Sequence, residues 1–324
     1  MSDKKILTPH ISPEMGYIAY IVNPKSGASS HKPTGRRFRQ YLIEKGFNVR
    51  LSLTDSLEHA CELATDAAVD YDCSLVVAVG GDGTVREVAR GLEGSNTPLV
   101  IVPCGTENLL ANELGLDERI ETIIDAFEAG YTRPLDLGTA NGKCFTSIAG
   151  FGFDGDVVKR VSRQRKGHIN HLDYFWPIFR TFWTYKFQPM TVTVDDEIIF
   201  NGRGIVFIGN ISRYAVGLQL LHRADFSDGL LDICVYKCAS KAHLVKHALY
   251  TVLKLHTSGS DVIYRHGKTA SVSSEMPAIA TQTDGDPGPP LPVQISIIPK
   301  ALNVIVPEHG KPAGIRRRII WAMR

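Results

Sequence analysis

The first part of the chain alternates between apolar runs and segments with helical spacing. The runs lie at residues 17–24, 48–54, 74–81 and 98–105. Between them, a segment such as residues 34–46 places apolar side chains on one helical face and ends in glycine. Continuous apolar runs are typical of parallel strands buried on both faces. The pattern therefore predicts βαβ units and an α/β domain with a parallel sheet.

The pattern changes near residues 131–153, where short strands bounded by glycine and asparagine turns become dominant. Strands are predicted at residues 189–200, 202–209, 230–237, 269–274, 291–298 and 301–306. Two helical segments interrupt them, at residues 172–187 and 241–255. The second domain is therefore predicted to be mostly antiparallel β-structure.

The predicted helix at residues 172–187 has a stripe of large apolar side chains. They are Leu172, Phe175, Trp176, Phe179, Phe182 and Trp183. Such a stripe is typical of any helix that faces a core, and it also suits the wall of a lipid pocket. The spacing favours the core.

Composition excludes several classes of function. A net charge of +2 over 324 residues is too small to indicate a nucleic-acid partner. The six cysteines form no CxxC pair, so we expect reduced thiols in a cytoplasmic protein rather than zinc ligands. No run approaches the ~20 apolar residues that span a bilayer, and no transmembrane segment is expected.

Small and polar residues stand where the predicted parallel strands end. The densest group is Gly80-Gly81-Asp82-Gly83-Thr84, and Asn23–Gly27, Thr54 and Gly105-Thr106 end the other strands. One glycine-rich corner is explained by a tight turn alone. Four such ends at one sheet edge favour a ligand, because glycines let a phosphate approach the backbone and helix starts attract anions. The strand ends therefore predict a nucleotide triphosphate site.

Six motifs occur in an order that resembles the diacylglycerol kinase catalytic-domain family. This family contains bacterial soluble lipid kinases and is related to sphingosine, ceramide and NAD kinases. The motifs are NPKSG (23–27), GGDGTVREV (80–88), PCGTENLLA (103–111), GFGFDGDVV (150–158), DFSDGLLDI (225–233) and QTDGDP (282–287). The GGDGT element alone is shared with NAD kinases and phosphofructokinases, whereas the six together are specific.

The resemblance implies a domain arrangement and an activity. It implies a nucleotide-binding α/β domain at residues 1–134, to which residues 307–324 return, and a β-sandwich lipid-kinase domain at residues 135–306. The implied reaction transfers the γ-phosphate of ATP, with Mg²⁺, to the hydroxyl of a diacylglycerol-like or a sphingoid- or ceramide-like lipid. The protein would be cytoplasmic, would visit the membrane surface transiently, and is a possible homodimer.

The resemblance also assigns site residues. ATP would contact Asn23, Pro24, Lys25, Ser26, Gly27, Thr54, Gly80, Gly81, Asp82, Gly83, Thr84, Val85, Arg86 and Thr106. A structural Mg²⁺ would be held by Asp225, Asp228 and the carbonyl of Leu230. Asp286 stands where the family has a glutamate that acts as general base, and Asp82 is the second candidate for that role. We favour Asp286 as the base and Asp82 as a metal or water ligand.

Departures from the family pattern leave alternatives open. Glu107 and Leu109 replace a glycine and an aspartate, Trp176 stands at a position that is lysine in many members, and Asp286 shortens the glutamate. These changes are compatible with a catalytically degenerate nucleotide- or lipid-binding sensor. An NAD kinase-like activity is the third hypothesis, and the NPKSG and DGLLD segments argue against it. The basic tail at residues 311–324 suits either a lipid surface or packing on the first domain.

Overall fold

The computed structural model describes residues 6–7, 11–26, 32–164, 171–276 and 279–308. The chain divides into two compact units, the first formed by the described residues up to Leu135 and from Ala301 onward, the second by Asp136–Lys300. Gly27, the tail at residues 311–324 and most of the returning segment fall outside the described residues. Within them, no helix is both long enough and apolar enough to cross a membrane.

The first unit is an α/β domain, as predicted. Its elements are β1 (Ile6–Leu7), β2 (Tyr17–Val22), α1 (Lys32–Glu44), β3 (Val49–Leu53), α2 (Leu57–Val69), β4 (Cys73–Gly80), α3 (Asp82–Gly91), β5 (Leu99–Pro103), α4 (Leu109–Glu113) and α5 (Ile120–Ala129). Strands β5, β4, β2 and β3 pair in that order, all parallel. Residues 75–80 of β4 and all of β5 are buried, which explains their continuous apolar sequence.

The second unit is a mostly antiparallel β-sandwich, which confirms the predicted fold class. Its elements are β6 (Tyr131–Ala140, begun in the first unit), β7 (Lys143–Phe145), β8 (Ile148–Phe151), α6 (Phe153–Gln164), α7 (His171–Thr184), β9 (Pro189–Val194), β10 (Glu197–Gly209), β11 (Leu231–Lys237), α8 (Lys241–Val252), β12 (Val262–Gly267), β13 (Thr269–Ser273), β14 (Thr281–Thr283), β15 (Asp286–Pro287) and β16 (Val293–Ile305, completed in the first unit).

Strand β10 belongs to both sheets of the sandwich. Its first half pairs with β9, and its second half pairs with β8 and β11. A register shift between Ile198 and Phe200 lies in the first half. Side chains from both sheets, such as Phe145, Phe151 and Val272, form one buried core. This core positions β8 and β14, the strands that support the turn before Asp286 in the second unit.

Two strand boundaries differ from the prediction. The turn before β10 is at Asp195-Asp196, both with positive φ, and β10 continues through Asn201-Gly202 in register with β9. Strand β16 is continuous where two strands were predicted. Asn-Gly is a strong turn signal, but pairing with β9 outweighs it here, whereas the two aspartates adopt the left-handed conformation that a tight hairpin requires.

The interpretation of the aromatic helix as a core element is wrong. In α7, Phe175 is 69% exposed, Trp176 58% and Trp183 57%, while Pro177 and Thr181 lie on the buried side. The periodicity correctly indicated a helix with one apolar face. It did not indicate which face packs against the sandwich.

Candidate functional site

The carboxyl ends of β2, β4 and β5 meet at one edge of the first unit's sheet, which we call the strand-end edge. At its centre, Asn23 Nδ2 donates to Thr84 Oγ1 at 2.9 Å, and Ser26 Oγ lies 3.4 Å from the same oxygen. The Gly81 N–H donates to Ser26 Oγ at 3.4 Å. The structure therefore brings together Asn23, Ser26, Gly81 and Thr84, which lie in two motifs far apart in sequence.

The glycines of the strand-end edge are required by close backbone approach. A Cβ on Gly81 would lie 3.1 Å from Gly105 Cα, and a Cβ on Gly80 would lie 2.5 Å from Thr84 Cβ. The Cys104 N–H donates to Gly80 O at 2.8 Å and continues the pairing of β4 with β5. A larger residue at position 81 would force the two strand ends apart, and one at position 80 would clash with the Thr84 side chain. This close approach leaves the main chain of both corners accessible to a ligand.

Helix α3 begins directly at the strand-end edge, with Gly81 as its N-cap and Asp82 as its first residue. The Val85 N–H donates to Gly81 O at 3.0 Å, which closes the first turn. The Val85 side chain is buried. The first turn of a helix presents N–H groups that have no intrahelical partner, and this end of the helix favours an anion.

Arg86 is buried and takes part in an ion-pair network on α3. Its Nε donates to Glu87 at 3.1 Å, and Glu87 also accepts from Arg90 at 2.8 Å. Arg90 in turn donates two hydrogen bonds to Glu58 on α2, each 3.0 Å long. This network fixes α3 against α2. It therefore gives Arg86 a structural role in addition to the predicted contact with phosphate.

The remaining nucleotide-site candidates surround the same edge. Pro24 and Lys25 are exposed, and Lys25 Nζ donates to Asp55 O at 3.4 Å. Thr54 is buried, with its N–H bonded to Val22 O at 2.9 Å, so it closes the end of β3 against β2. Thr106 is exposed in the turn after β5. The Lys25 ammonium is therefore an exposed cation beside this edge.

Asn108 is a residue whose importance the sequence interpretation missed. It has a positive φ of 49°, its Oδ1 accepts from the Gly105 N–H at 2.7 Å, and its Nδ2 donates to Gly105 O at 3.0 Å. Both main-chain groups of Gly105 are thus held by one buried side chain. The signal available in the sequence was an asparagine three residues after a glycine in a loop, where local side-chain hydrogen bonds are common.

Asp286 lies at the start of β15, directly after a tight turn in the second unit. Asp284 and Gly285 form this turn with φ values of 49° and 80°. The Asp284 carboxylate accepts hydrogen bonds from the N–H groups of Thr146, Ser147 and Ile148 at 2.8 to 3.2 Å. The motif therefore carries two aspartates with different roles: Asp284 anchors the turn, and Asp286 follows it, partly exposed.

A buried hydrogen-bond network that includes Gln282 and Asp154 also stabilises the turn at Asp284-Gly285. Gln282 Oε1 accepts from the Gly285 N–H at 2.8 Å, and Gln282 Nε2 donates to Asp154 Oδ2 at 2.8 Å. The hydroxyl of Tyr214 donates to the other oxygen of Asp154. Burial raises the pKa of Asp154 to about 6, although both hydrogen bonds favour the charged carboxylate.

Asp154 is expected to make the stability of the protein depend on pH. Its folded pKa of about 6 lies above the ordinary value of 3.8, so the folded protein binds this proton more tightly than the unfolded chain does. The contribution of this protonation to the free energy of unfolding is therefore complete below pH ~4. It is lost as the pH rises through ~6, which lowers the free energy of unfolding by about 3 kcal/mol. Asp154→Asn should remove this loss, because the amide can accept from Gln282 and donate to Tyr214.

The measurement is the free energy of unfolding in urea at several pH values between 4 and 7. The variant should gain stability relative to the natural protein as the pH rises, with Asp66→Asn, an exposed aspartate on α2, as the matched control. Parallel stability curves for the Asp154→Asn variant and the natural protein would show that this carboxyl is already ionised at pH 4.

The predicted magnesium ligands lie in a loop that carries several carboxylates. Asp225 accepts from the N–H and hydroxyl of Ser227, and Asp228 accepts from the Leu230 N–H at 2.9 Å. Asp136 holds the tip of the loop, since it accepts from the Gly229 N–H at 2.6 Å. Burial raises the pKa of Asp136 and of Asp228, and the neighbouring carboxylates raise both further.

These residues are suited to a hard cation. Within the described part of the chain, no three acidic, cysteine or histidine side chains converge into a metal site. A cation here would therefore take two carboxylates, a main-chain carbonyl and water, which is the kind of ligand set that Mg²⁺ accepts. Repulsion between Asp225 and Asp228 would also be relieved by such an ion. The predicted site thus has the right donor chemistry.

Comparison with known proteins agrees with the two-part fold. A family model described as the diacylglycerol kinase catalytic domain matches residues 18–140, and one described as the YegS C-terminal NAD kinase beta sandwich-like domain matches residues 147–306. A crystal structure of a diacylglycerol kinase from Bacillus anthracis has a TM-score of 0.72, at 22% sequence identity, over 90% of this chain and 98% of that one. That likeness concerns the fold.

Sequence relatives extend over nearly the whole chain. A diacylglycerol kinase from Mycobacterium tuberculosis is 32% identical over 305 residues, covering 92% of this chain and 97% of the relative. A diacylglycerol kinase from Bacillus subtilis is 27% identical over 295 residues, covering 89% and 96%. The six motifs, the two-part fold and these matches agree, and the chain belongs to the diacylglycerol kinase catalytic-domain family.

Proposed function

We propose that the protein is an ATP-dependent lipid kinase that transfers the γ-phosphate of ATP to a lipid hydroxyl. The observation that carries the proposal is the strand-end edge, where two glycine corners, the start of α3 and Asp82 lie together. Membership of the family supports the same reaction. The acceptor is a diacylglycerol-like or a sphingoid- or ceramide-like lipid. The names of the relatives favour the diacylglycerol-like acceptor.

Phosphoryl transfer requires the protein mainly to position the reactants and to neutralise charge. The phosphates of ATP would lie against the main chain of Gly80–Thr84 and Gly105, at the positive end of α3. Lys25 would neutralise part of their charge from the end of β2. The hydrogen bonds among Asn23, Ser26 and Thr84 would hold the end of β2 against the corner after β4 before ATP arrives.

Magnesium would contribute electrostatic stabilisation of phosphate charge and of the acidic loop. In the proposal, Asp225, Asp228 and the Leu230 carbonyl hold a structural ion, and Asp82 is a ligand of a metal or its water. The carboxylate of Asp286 orients the acceptor hydroxyl and takes its proton. The anchored turn supports this assignment, because Asp284 and Gln282 fix the main chain immediately before Asp286.

The loop carrying the predicted metal ligands provides a test that does not depend on turnover. Without nucleotide, Mg²⁺ should raise the melting temperature of the natural protein, and Asp228→Ala should abolish that rise while lowering kinase activity by at least about tenfold. Asp66→Ala serves as the matched control. An equal rise in melting temperature for the natural protein and the Asp228→Ala variant would remove Asp228 from the metal site.

One assay distinguishes the proposed lipid kinase from the two alternative functions. Purified protein is incubated with labelled ATP and Mg²⁺ in the presence of diacylglycerol, ceramide, a sphingoid base or NAD. The proposal predicts a labelled lipid phosphate. Labelled NADP would instead indicate NAD kinase-like activity. ATP binding without any labelled product would indicate the catalytically degenerate sensor suggested by Glu107, Leu109, Trp176 and Asp286.

A further inference from the structure

The motif at residues 150–158 contains none of the proposed ligands of ATP or of the metal. Its first aspartate, Asp154, lies in the first turn of α6. Asp154 Oδ2 accepts a hydrogen bond from Gln282 Nε2 at 2.8 Å, and the other carboxylate oxygen accepts one from the Tyr214 hydroxyl. Gln282 Oε1 in turn accepts from the Gly285 N–H at 2.8 Å. This continuous series of hydrogen bonds ends on the main chain of the turn before β15, and we call it the Gly285 tether.

The chemistry of the groups fixes the direction of the Gly285 tether. A main-chain N–H can only donate, so the carbonyl oxygen of Gln282 has to face Gly285 and the NH₂ group of Gln282 has to face Asp154. An ionised carboxylate is a suitable partner there, because it only accepts. If the Gln282 amide were reversed, its NH₂ group would meet the Gly285 N–H, and both donors would lose their acceptor. Asp154 therefore sets the orientation in which Gln282 can hold Gly285.

The side chains of the Gly285 tether are closely packed. Gln282 is 1% exposed and Asp154 is 8% exposed. A Cβ on Gly150 would overlap with Asp154 Oδ2 and would lie 2.8 Å from Gln282 Nε2. A Cβ on Gly155 would overlap with the carbonyl oxygen of Ala280. These two glycines of the motif therefore allow α6 to lie close enough to β8 and β14 for the hydrogen bond between Asp154 and Gln282 to form.

Gly285 is the part of the turn that requires a tether. It is exposed, it has a positive φ of 80°, and no described atom lies within 4 Å of the position that a Cβ would take. Glycine also has more backbone freedom than any other residue. Asp284, the preceding turn residue, is held separately by the main chain of residues 146–148. The Gly285 tether thus fixes the second half of the turn, which leads directly into Asp286.

We propose that Asp154 is a positioning residue for phosphoryl transfer: it orients Gln282, which holds the Gly285 N–H and so fixes the main chain that carries the Asp286 carboxylate. The inference rests on the proposed function, in which Asp286 takes the proton of the acceptor. Positioning matters because a displacement of ~1 Å can lower a rate by about 100-fold. Burial raises the pKa of Asp154 to about 6, so the ionised carboxylate lowers stability at neutral pH. Such a cost is expected where function requires the group.

A pair of variants separates positioning from stability. Gln282→Met removes both hydrogen bonds of the amide and should lower kcat for lipid phosphorylation at least about tenfold, with the KM for ATP nearly unchanged. The double variant Gln282→Met with Asp154→Ala replaces the buried polar pair by apolar side chains of similar total volume. It should regain most of the melting temperature that Gln282→Met loses, but not kcat, because the Gly285 N–H still lacks its acceptor. Gln294→Met, the same change at an exposed position on β16, is the matched control.

Two single variants of Asp154 test its role in orienting Gln282. Asp154→Asn retains an oxygen that accepts from Gln282 Nε2, so kcat should stay within about threefold of normal. Asp154→Ala removes the acceptor and should lower kcat about as much as Gln282→Met does. A kcat for Asp154→Ala equal to that of Asp154→Asn would show that the orientation of Gln282 does not depend on Asp154, and it would overturn the inference.

Amide hydrogen exchange at Gly285 measures the tether itself and needs neither ATP nor lipid. Gln282→Met should raise the exchange rate at Gly285 at least about tenfold, whereas Gln294→Met should leave it unchanged. An unchanged rate in Gln282→Met would overturn the inference and leave the proposed function in place. So would a normal kcat in the double variant, since the buried pair would then serve folding alone. Absence of lipid phosphorylation by the natural protein would instead overturn the proposed function, and with it this role of Asp154.

Discussion

Asp82→Asn is expected to lower phosphoryl transfer by about 10³-fold or more while leaving the protein folded. Asp82 is the first residue of α3 and follows the Gly81 N-cap at the strand-end edge. Asparagine keeps the volume of the side chain and removes its charge. Whether Asp82 binds a metal, orders water or accepts a proton, that charge is required, whereas the close approaches of Gly80, Gly81 and Gly105 involve atoms of other residues.

The measurement is the initial rate of lipid phosphorylation at saturating ATP and acceptor, with melting temperature recorded alongside. Asp66→Asn, which makes the same change of charge at an exposed position on α2, should retain the normal rate. A rate for Asp82→Asn close to that of the natural protein would exclude Asp82 from the chemistry.

Asp286→Asn is expected to lower turnover by about 10²–10⁴-fold with nearly unchanged ATP affinity, because proton acceptance is lost while the phosphate contacts remain. If the role of Asp286 is chemical, the melting temperature of this variant should stay near that of the natural protein. A rate within about threefold of normal, about 0.7 kcal/mol of barrier, would transfer the role of base to Asp82.

Asp284→Asn is the matched control for that experiment. The Asp284 carboxylate accepts hydrogen bonds from three consecutive main-chain N–H groups. The amide group of asparagine would place its own N–H donors next to some of these main-chain donors, and those hydrogen bonds would be lost. This variant should therefore lose stability together with activity, whereas Asp286→Asn should lose activity alone. The two aspartates are two residues apart, and the comparison of rate with melting temperature distinguishes a chemical role from an anchoring role.

The fold class could be predicted because the pattern of apolar residues within each strand depends on which of its faces are buried. The apolar runs of β4 and β5 are continuous because both faces of these strands are covered. Strand boundaries in the second unit were harder to predict, because turn signals compete. Asn201-Gly202 has the stronger local signal, yet pairing with β9 keeps it extended, and the chain turns at Asp195-Asp196 instead.

The anchoring residues of the candidate site could not be predicted, because their partners are distant in sequence. Asp284 bonds to the main chain of residues 146–148, and Asp154 meets Gln282 across 128 positions. The sequence shows these residues within motifs but not which of them face a ligand. The aromatic helix shows the same limit, since periodicity reveals an apolar face and not what covers it.

The central claim is transfer of the γ-phosphate of ATP to a lipid, and isotope transfer tests it most directly. The protein is incubated with Mg²⁺, dispersed diacylglycerol or ceramide, and ATP that carries ¹⁸O in its γ-phosphoryl group. Mass spectrometry of the extracted lipids should then find the label in a lipid phosphate, and Asp82→Asn should yield none. Label found only in inorganic phosphate or in NADP, with every lipid unlabelled, would contradict the claim.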